Sequence, residues 1–264
     1  MIICSVGKGT LLEADCLQCA LKSDNTCGYD YALLRSILHD GETLRRVNEI
    51  HVTDLTGCMR KAWYDKMDPT PEYVHEKTMR WMGTHMHGVI EGSDEYMDSE
   101  MPMTYADLVG RSDIVYKNGR LVDLKVTRWI YPGKLPYGSH TTQVNIYAYM
   151  LRRMGHPVDR LQIQYFDASG PSKCRRCRVP VRMFEGELKC PNCFQFVPGA
   201  HLGAVLVDVP LMRDEDIEVY TNERRNELKN AMLLGMPPAK EPGFLCAYCA
   251  SIDKCNPNER AEEI

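Results

Sequence analysis

The spacing Cys174-x2-Cys177-x12-Cys190-x2-Cys193 constrains the fold more than any other feature of the chain. Two C-x-x-C turns can present four thiolates to one tetrahedral ion only if the residues between them double back, so "VPVRMFEGELK" must form a short hairpin between two metal knuckles. A zinc ribbon across 171–200 follows, inserted between other elements. The remaining cysteines also fall into sets. Cys246, Cys249 and Cys255 offer three ligands near the end and leave a vacancy that Cys58 can fill. Cys4, Cys16, Cys19 and Cys27 form a weaker group, a second zinc site in which Cys4 is the fourth ligand because no other cysteine is left over. Twelve cysteines in close groups favour metal ligation over a disulfide framework. Four thiolates suit Zn²⁺ or an iron–sulfur cluster, so ligand type alone leaves the metal at the Cys58 set open.

With 264 residues, 44% hydrophobic and 26% charged, the chain can bury a sizeable core. No apolar run approaches the roughly 20 residues of a membrane span, and "MIICSVGKGT" lacks the basic start and apolar core of a signal peptide. A cytoplasmic location without membrane contact is the expectation. A net charge of -4 excludes a globally basic nucleic-acid binder, so any nucleic-acid site must be local.

Hydrophobic periodicity predicts helices over 30–46, 53–66 and 72–97. "LVGRSDIVYK" and "RLVDLKVT" read as strands flanking Asn118-Gly119, a strong hairpin signal. "SHTTQVNIYAYMLRRMG" reads as a helix with Ser139 as N-cap and Gly155 past its end; "DRLQIQYFD" and "AVLVDVPL" are further strands, and 215–234 returns to helix. The fold class is α/β or α+β, a small sheet flanked by helices.

Within "LVDLKVT", Asp123 and Lys125 are two apart and share one face of the strand, while Val122, Leu124 and Val126 face the other way. Two carboxylates and a lysine on one sheet face serve divalent-metal phosphodiester chemistry, and Asp113 is the natural second carboxylate. Register decides whether they meet. A two-residue Asn-Gly loop turns Asp113 away from Asp123. A three-residue loop, Lys117-Asn118-Gly119 with Gly119 left-handed, pairs Tyr116 with Arg120 and sets Asp113 opposite Asp123. The chemistry favours the longer loop; the alternative is a surface salt bridge.

Two further motifs accompany the hairpin. "RWMGTHMHGVIEG" contains G-x-x-x-H from Gly83 to His87, and "QVNIY" sets Gln143 and Tyr147 four apart on one helical face. His85, two residues before His87, points to a different side of a helix, so only one of the two can join a site. In order and spacing these motifs resemble the RecB-like branch of the PD-(D/E)XK nucleases: a helix histidine, an aspartate on one strand, D/E-x-K on the next, then Q-x-x-x-Y. The resemblance implies a restriction-endonuclease-like α/β core sheet flanked by helices, with cysteine insertions. It implies His87, Asp113 and Asp123 as ligands of Mg²⁺ or Mn²⁺, Lys125 as the catalytic lysine, and Gln143 and Tyr147 beside it. The acidic residue of D/E-x-K is Asp here where many relatives have Glu, which shortens its reach to the metal.

One cysteine at the start of the core and three at its end also resemble the CRISPR-associated exonuclease family, which implies a 4Fe-4S cluster on Cys58, Cys246, Cys249 and Cys255 in a structural role. The implied organisation is an N-terminal cysteine cluster and helix over 1–47, nuclease core over 48–170, zinc ribbon over 171–200, and end of the core with the iron–sulfur cysteines over 201–264. The implied activity is metal-dependent exonuclease action on single-stranded DNA ends, with spacer acquisition beside a CRISPR integrase complex as the setting. Arg128, Trp129 and Lys134, just beyond the active strand, are candidate DNA contacts. The rival class is a non-catalytic DNA- or protein-binding module scaffolded by the metal sites.

Overall fold

The structure, a computed structural model, describes residues 1–4, 9–22, 27, 29–39, 49–89, 97–127, 130–243, 246–247 and 249–256, with the side chains of 79–80, 86–89 and 132 outside the description. The chain divides into two compact units, Met1–Met86 with Tyr220–Ile264, and His87–Val219. These divisions differ from those drawn at the cysteine markers, since 48–170 contributes to both units.

In the first unit, β1 (Ile2–Ile3) pairs antiparallel with β2 (Thr10–Leu11). Helices α1 (Glu13–Ala20) and α2 (Tyr31–His39) follow, and Cys16, Leu34 and Leu38 pack with Ile2 in a small core. After β3 (Ile50–His51), the helix expected over 53–66 is two: α3 (Val52–Leu55) and α4 (Met59–Met67). Gly57 lies at the break, where a helical glycine would cost about 1 kcal/mol, and the break leaves Cys58 extended as the N-cap of α4. A buried ion pair, Lys66 to Asp54 at 2.9 Å, staples the two pieces. β4 (Glu72–Tyr73) joins β1 in parallel, and α5 spans Val74–Val89.

The second unit holds the main sheet. β5 (Met97–Tyr105), β6 (Leu108–Tyr116) and β7 (Arg120–Thr127) form an antiparallel meander. Helix α6 (Gly138–Arg153) then crosses to β8 (Arg160–Asp167), parallel to β7 with Asp123 beside Ile163 and Lys125 beside Tyr165. The ribbon hairpin, β9 (Arg182–Phe184) and β10 (Glu187–Lys189), intervenes before β11 (Ala204–Val209), antiparallel to β8. The order among these strands is β5-β6-β7-β8-β11, a mixed α/β sheet. Helix α7 occupies Asp214–Leu234, and α8 (Ile252–Cys255) is a single turn.

The helix expected over 72–97 is described as α5 as far as Val89, its stretch 90–96 lies outside the described residues, and Met97 already begins the strand β5. Its residues Met101, Met103 and Tyr105 alternate, and Met103 is fully buried, but Pro102 and the acidic Asp98 and Glu100 weaken the pattern. Within this unit β5 pairs only with β6, an edge position where a proline is tolerated. Along β7, Leu121 to Leu124 are all buried, so the strand is covered on both faces, as suits a parallel β-α-β pair. Residues Gln143 to Leu151 of α6 are buried too, and Asn145 accepts the Met212 N–H at 2.8 Å and donates to Pro210, fixing the start of the last connection. Ser139 lies inside α6 and Tyr137 caps it in extended conformation without a side-chain bond.

Candidate active site

Ile114 pairs with Val122 and Val115 with Leu121, and continuing this register by one residue sets Asp113 opposite Asp123. This is the register of the three-residue loop. Gly119 sits at φ +86 with its N–H on the Tyr116 carbonyl at 3.1 Å. A Cβ there would come within 2.8 Å of the exposed Asp159 carboxylate, which can swing aside, so it is the left-handed conformation that calls for glycine.

Asp113 is 6% and Asp123 1% exposed. The Leu124 N–H donates to Asp113 Oδ2 at 2.5 Å, and Lys125 Nζ lies 2.9 Å from Asp123 Oδ2. The β5 register, Ser99 with Ile114 and Met101 with Ser112, brings Glu100 across from Asp113. Glu100 interrupts the ladder at φ +50, and its side chain is 12% exposed with Arg111 at 3.3 Å. Three carboxylates therefore line up on one rung across three strands. Glu100 was not singled out in the sequence, because it lies between the helix expected over 72–97 and the strand expected from Leu108, in a stretch assigned to no element; the alternation through Met101, Met103 and Tyr105 is the signal that points to it.

Helix α6 covers this rung. Gln143 Nε2 donates to the Tyr147 hydroxyl at 2.9 Å. Burial, followed by the negative charge of Asp123, pushes Tyr147 far above the usual tyrosine range, with Asp113 and Glu100 adding to the push against the opposing Gln143 bond. Tyr147 thus stays protonated and faces all three acids. The three carboxylates do not all come within 4.8 Å of one another, so they form an acidic row rather than a closed ion cage, but hard oxygen donors of this kind suit Mg²⁺ or Mn²⁺.

A second polar group, also missed in the sequence, borders Lys125. The Tyr165 hydroxyl accepts the Tyr137 N–H at 3.3 Å and lies 3.0 Å from His140 Nδ1. Burial and then the charge of Lys125 hold His140 down at about 4, so its imidazole is neutral near pH 7 and shares a hydrogen bond with the tyrosine hydroxyl.

The other expected residues are placed less completely. His87 lies in α5, but its side chain is outside the described part of the structure, as are Arg128 and Trp129 altogether. His85 turns onto its own helix, with Nδ1 3.0 Å from the Trp81 carbonyl and its ring 4.3 Å from the indole. Lys134 ends an exposed turn over Pro132–Lys134, its Nζ 5.8 Å from the Tyr131 ring.

The ribbon cysteines converge. The sulfurs of Cys174, Cys177, Cys190 and Cys193 all lie within 4.8 Å of one another, the one such group among the described residues. The two knuckles repeat each other. Arg178 N–H bonds the Cys174 carbonyl and Phe194 N–H the Cys190 carbonyl, each at 2.8 Å, and both residues are left-handed. Hydrogen bonding to Cys193, then burial, pushes Cys177 up to about 12; burial pushes Cys190 up, but N–H groups of Cys193 and Asn192 outweigh it and bring Cys190 down to about 7. Four sulfurs this close cannot all ionise without a cation, and their spacing fits a tetrahedral metal. In the N-terminal set, burial and then Cys27, Cys4 and Cys19 raise Cys16 to about 11, so these four thiols share one neighbourhood at longer range.

In the first unit, α4 is laced to the C-terminal segment. Met59 N–H bonds Glu241 at 3.1 Å, Arg60 the Pro238 carbonyl at 2.7 Å, and Tyr64 the Lys254 carbonyl at 3.0 Å. The structure does not, however, gather Cys58, Cys246, Cys249 and Cys255, no three of whose sulfurs lie within 4.8 Å of one another.

No family model matches the chain, and no curated protein matches it. Among solved structures it is similar to the crystal structure of SSO0001, with a TM-score of 0.47 and 14% identity over 83% of this chain and 90% of that one. It is also similar to an alkaline exonuclease from Laribacter hongkongensis, with a TM-score of 0.36 and 10% identity over 72% and 93% of the two chains. At that level of likeness, function must be read from the chain's own groups.

Proposed function

We propose that this chain is a metal-dependent deoxyribonuclease of the RecB-like PD-(D/E)XK kind, an exonuclease acting on single-stranded DNA ends. The observation that carries the reading is the buried rung of Asp113 and Asp123 with Lys125 Nζ 2.9 Å from Asp123. The succession of α5, the β5–β7 meander, α6 and the parallel β8 agrees with the core that the motifs imply. A Mg²⁺ or Mn²⁺ ion held by Asp113, Asp123 and His87 supplies Lewis acidity and lowers the pKa of water.

The chain's own residues do the rest. Lys125, 19% exposed and 2.9 Å from the buried Asp123 carboxylate, stands at the edge of the rung, where it stabilises charge developing on the phosphate oxygens. Gln143 fixes the Tyr147 hydroxyl, which burial and the nearby acids keep protonated as a donor. The ribbon thiolates hold Zn²⁺, and Cys4, Cys16, Cys19 and Cys27 hold a second. Cys58 with Cys246, Cys249 and Cys255 holds a 4Fe-4S cluster that clips the two ends of the first unit, supported by the bonds lacing α4 to the C-terminal segment. Spacer processing beside a CRISPR integrase complex rests on the family resemblance alone.

Labelled single- and double-stranded DNA incubated with Mg²⁺ or Mn²⁺ tests the activity. Single strands should shorten from an end, and Asp123→Ala should abolish this; equal digestion by that variant rules the site out. Protein purified without oxygen should be brown, and Cys58→Ala should lose iron and sulfide while keeping the ribbon zinc.

A further inference from the structure

The ribbon has two unlike faces. Lys189 pairs with Arg182 on one side and with Phe196 on the other, so these three side chains occupy one rung and project together. Phe184, two residues from Arg182, shares that face, and its ring meets Phe194 at 5.6 Å. The opposite face carries Val181 and Leu188, which pack with Ala200 as the ribbon's own small core. Phe194 is 64% and Phe196 55% exposed, so neither ring serves that core.

Charge on the ribbon runs against that of the whole chain. Residues 171–200 contain six basic and two acidic side chains, whereas the full sequence carries a net -4. Glu187 lies 2.7 Å from Lys189 and offsets it, which leaves Lys173, Arg182 and the knuckle arginines Arg175, Arg176 and Arg178, against Glu185 alone, as the positive field.

The backbone adds an independent sign. Each knuckle requires a left-handed residue after its second cysteine, and glycine fills such a position without strain. Here those residues are Arg178 at φ +59 and Phe194 at φ +56, both exposed. The ribbon gives up stability to display a guanidinium and an aromatic ring, and strain retained at exposed side chains points to use rather than to folding.

We propose that this face of the ribbon binds single-stranded DNA, with Phe194 and Phe196 stacking on bases, Arg182 beside them meeting a phosphate, and the exposed Arg178 of the other knuckle meeting a second phosphate along the strand. Alternating basic and aromatic groups are what sequence-tolerant single-strand binding uses. The proposal rests on the nuclease reading for the identity of its partner, and it places a substrate-holding surface outside the catalytic rung.

Fluorescence anisotropy of a short labelled single strand of mixed sequence, with the full chain and no added divalent metal, tests it. Phe194→Gly with Phe196→Ser should weaken binding roughly tenfold or more, since each stacked base is lost. Because glycine suits position 194, zinc content and melting temperature should hold or rise in that variant. Arg178→Gly with Arg182→Gln should reduce the slope of log affinity against log salt by about 1.4, for two single-strand phosphate contacts. A duplex of the same sequence should bind more weakly. Unchanged single-strand affinity in the phenylalanine variant overturns the proposal and leaves the face to a protein partner. Loss of zinc in that variant also overturns it, because the rings would then belong to the ribbon's fold. Binding is read without cleavage, so failure of the nuclease reading appears as absent digestion, and failure of this one as wild-type affinity.

Discussion

The carboxylate rung and the cysteine ribbon belong to the same compact unit and are assembled in opposite ways. Glu100, Asp113 and Asp123 come from three strands, and their meeting depends on two registers, a left-handed glycine and a covering helix. The ribbon sulfurs come from two short turns that repeat one local pattern of hydrogen bonds and need only a hairpin between them. One site is a property of the whole sheet and fails with it. The other carries its own core and its own ligands, so it should fold and fail separately.

Lys125→Ala gives the largest contrast between the two. Cleavage should fall by about 10²–10³, the scale of losing one charge-stabilising group, while metal affinity at the rung is kept and the metal content of the ribbon does not change. Rates near wild type would show that Lys125 is no more than the partner of Asp123.

His140 offers the next contrast, in acid. Its folded pKa of about 4 lies below the ordinary 6.5, so the unfolded chain takes up the proton first. The stability contributed by the neutral ring is complete above about 6.5 and is lost as pH falls from there through about 4, about 3 kcal/mol in all. His140→Gln keeps a hydrogen-bonding partner for Tyr165 without a titrating ring. Its urea midpoint should therefore vary less than that of wild type over this interval, and parallel curves would remove His140 from the account.

Glu100 compares directly with Arg178 and Phe194, since all three are left-handed residues other than glycine. If Glu100 is kept for its carboxylate, Glu100→Gly should raise the melting temperature slightly yet lower cleavage roughly tenfold, with Glu100→Gln equally impaired. Full activity in both would make Glu100 a bulge with no share in the chemistry.

The same contrast explains what could be read from sequence. The ribbon was legible in full because ligand spacing is a local code. The register of the acidic hairpin was legible because only one loop length brings Asp113 to Asp123. Glu100 and β5 were not, since a strand rich in methionine and acid, broken by Pro102, gains its order from pairing with β6 rather than from propensity. His140 was hidden for a related reason: its partners Tyr165 and Lys125 become neighbours only when β7 and β8 align in parallel. The split of the 53–66 helix at Gly57 was within reach of propensity, but the apolar periodicity ran across it.

The smallest expected effect tests the separability of the ribbon most directly. Its ends are already joined: the Ser172 N–H bonds the His201 carbonyl at 3.0 Å, and the His201 N–H returns to Ser172 Oγ at 3.1 Å. Beneath that junction Asp167 receives the Ile130 N–H at 3.1 Å and lies 2.8 Å from His201 Nδ1, so the base is anchored by residues outside the ribbon. Replacing 171–199 with a short Gly/Ser connector removes the four ligands and Ser172 but keeps Asp167, β8, β11 and every group on the rung. Cleavage of a DNA too short to reach the ribbon should change by less than about threefold, because transition-state contacts are intact and only uniform binding is removed. On longer single strands KM should rise while kcat holds. A folded deletion protein that cuts no DNA of any length would place the ribbon within the active site and dissolve the contrast between the two regions.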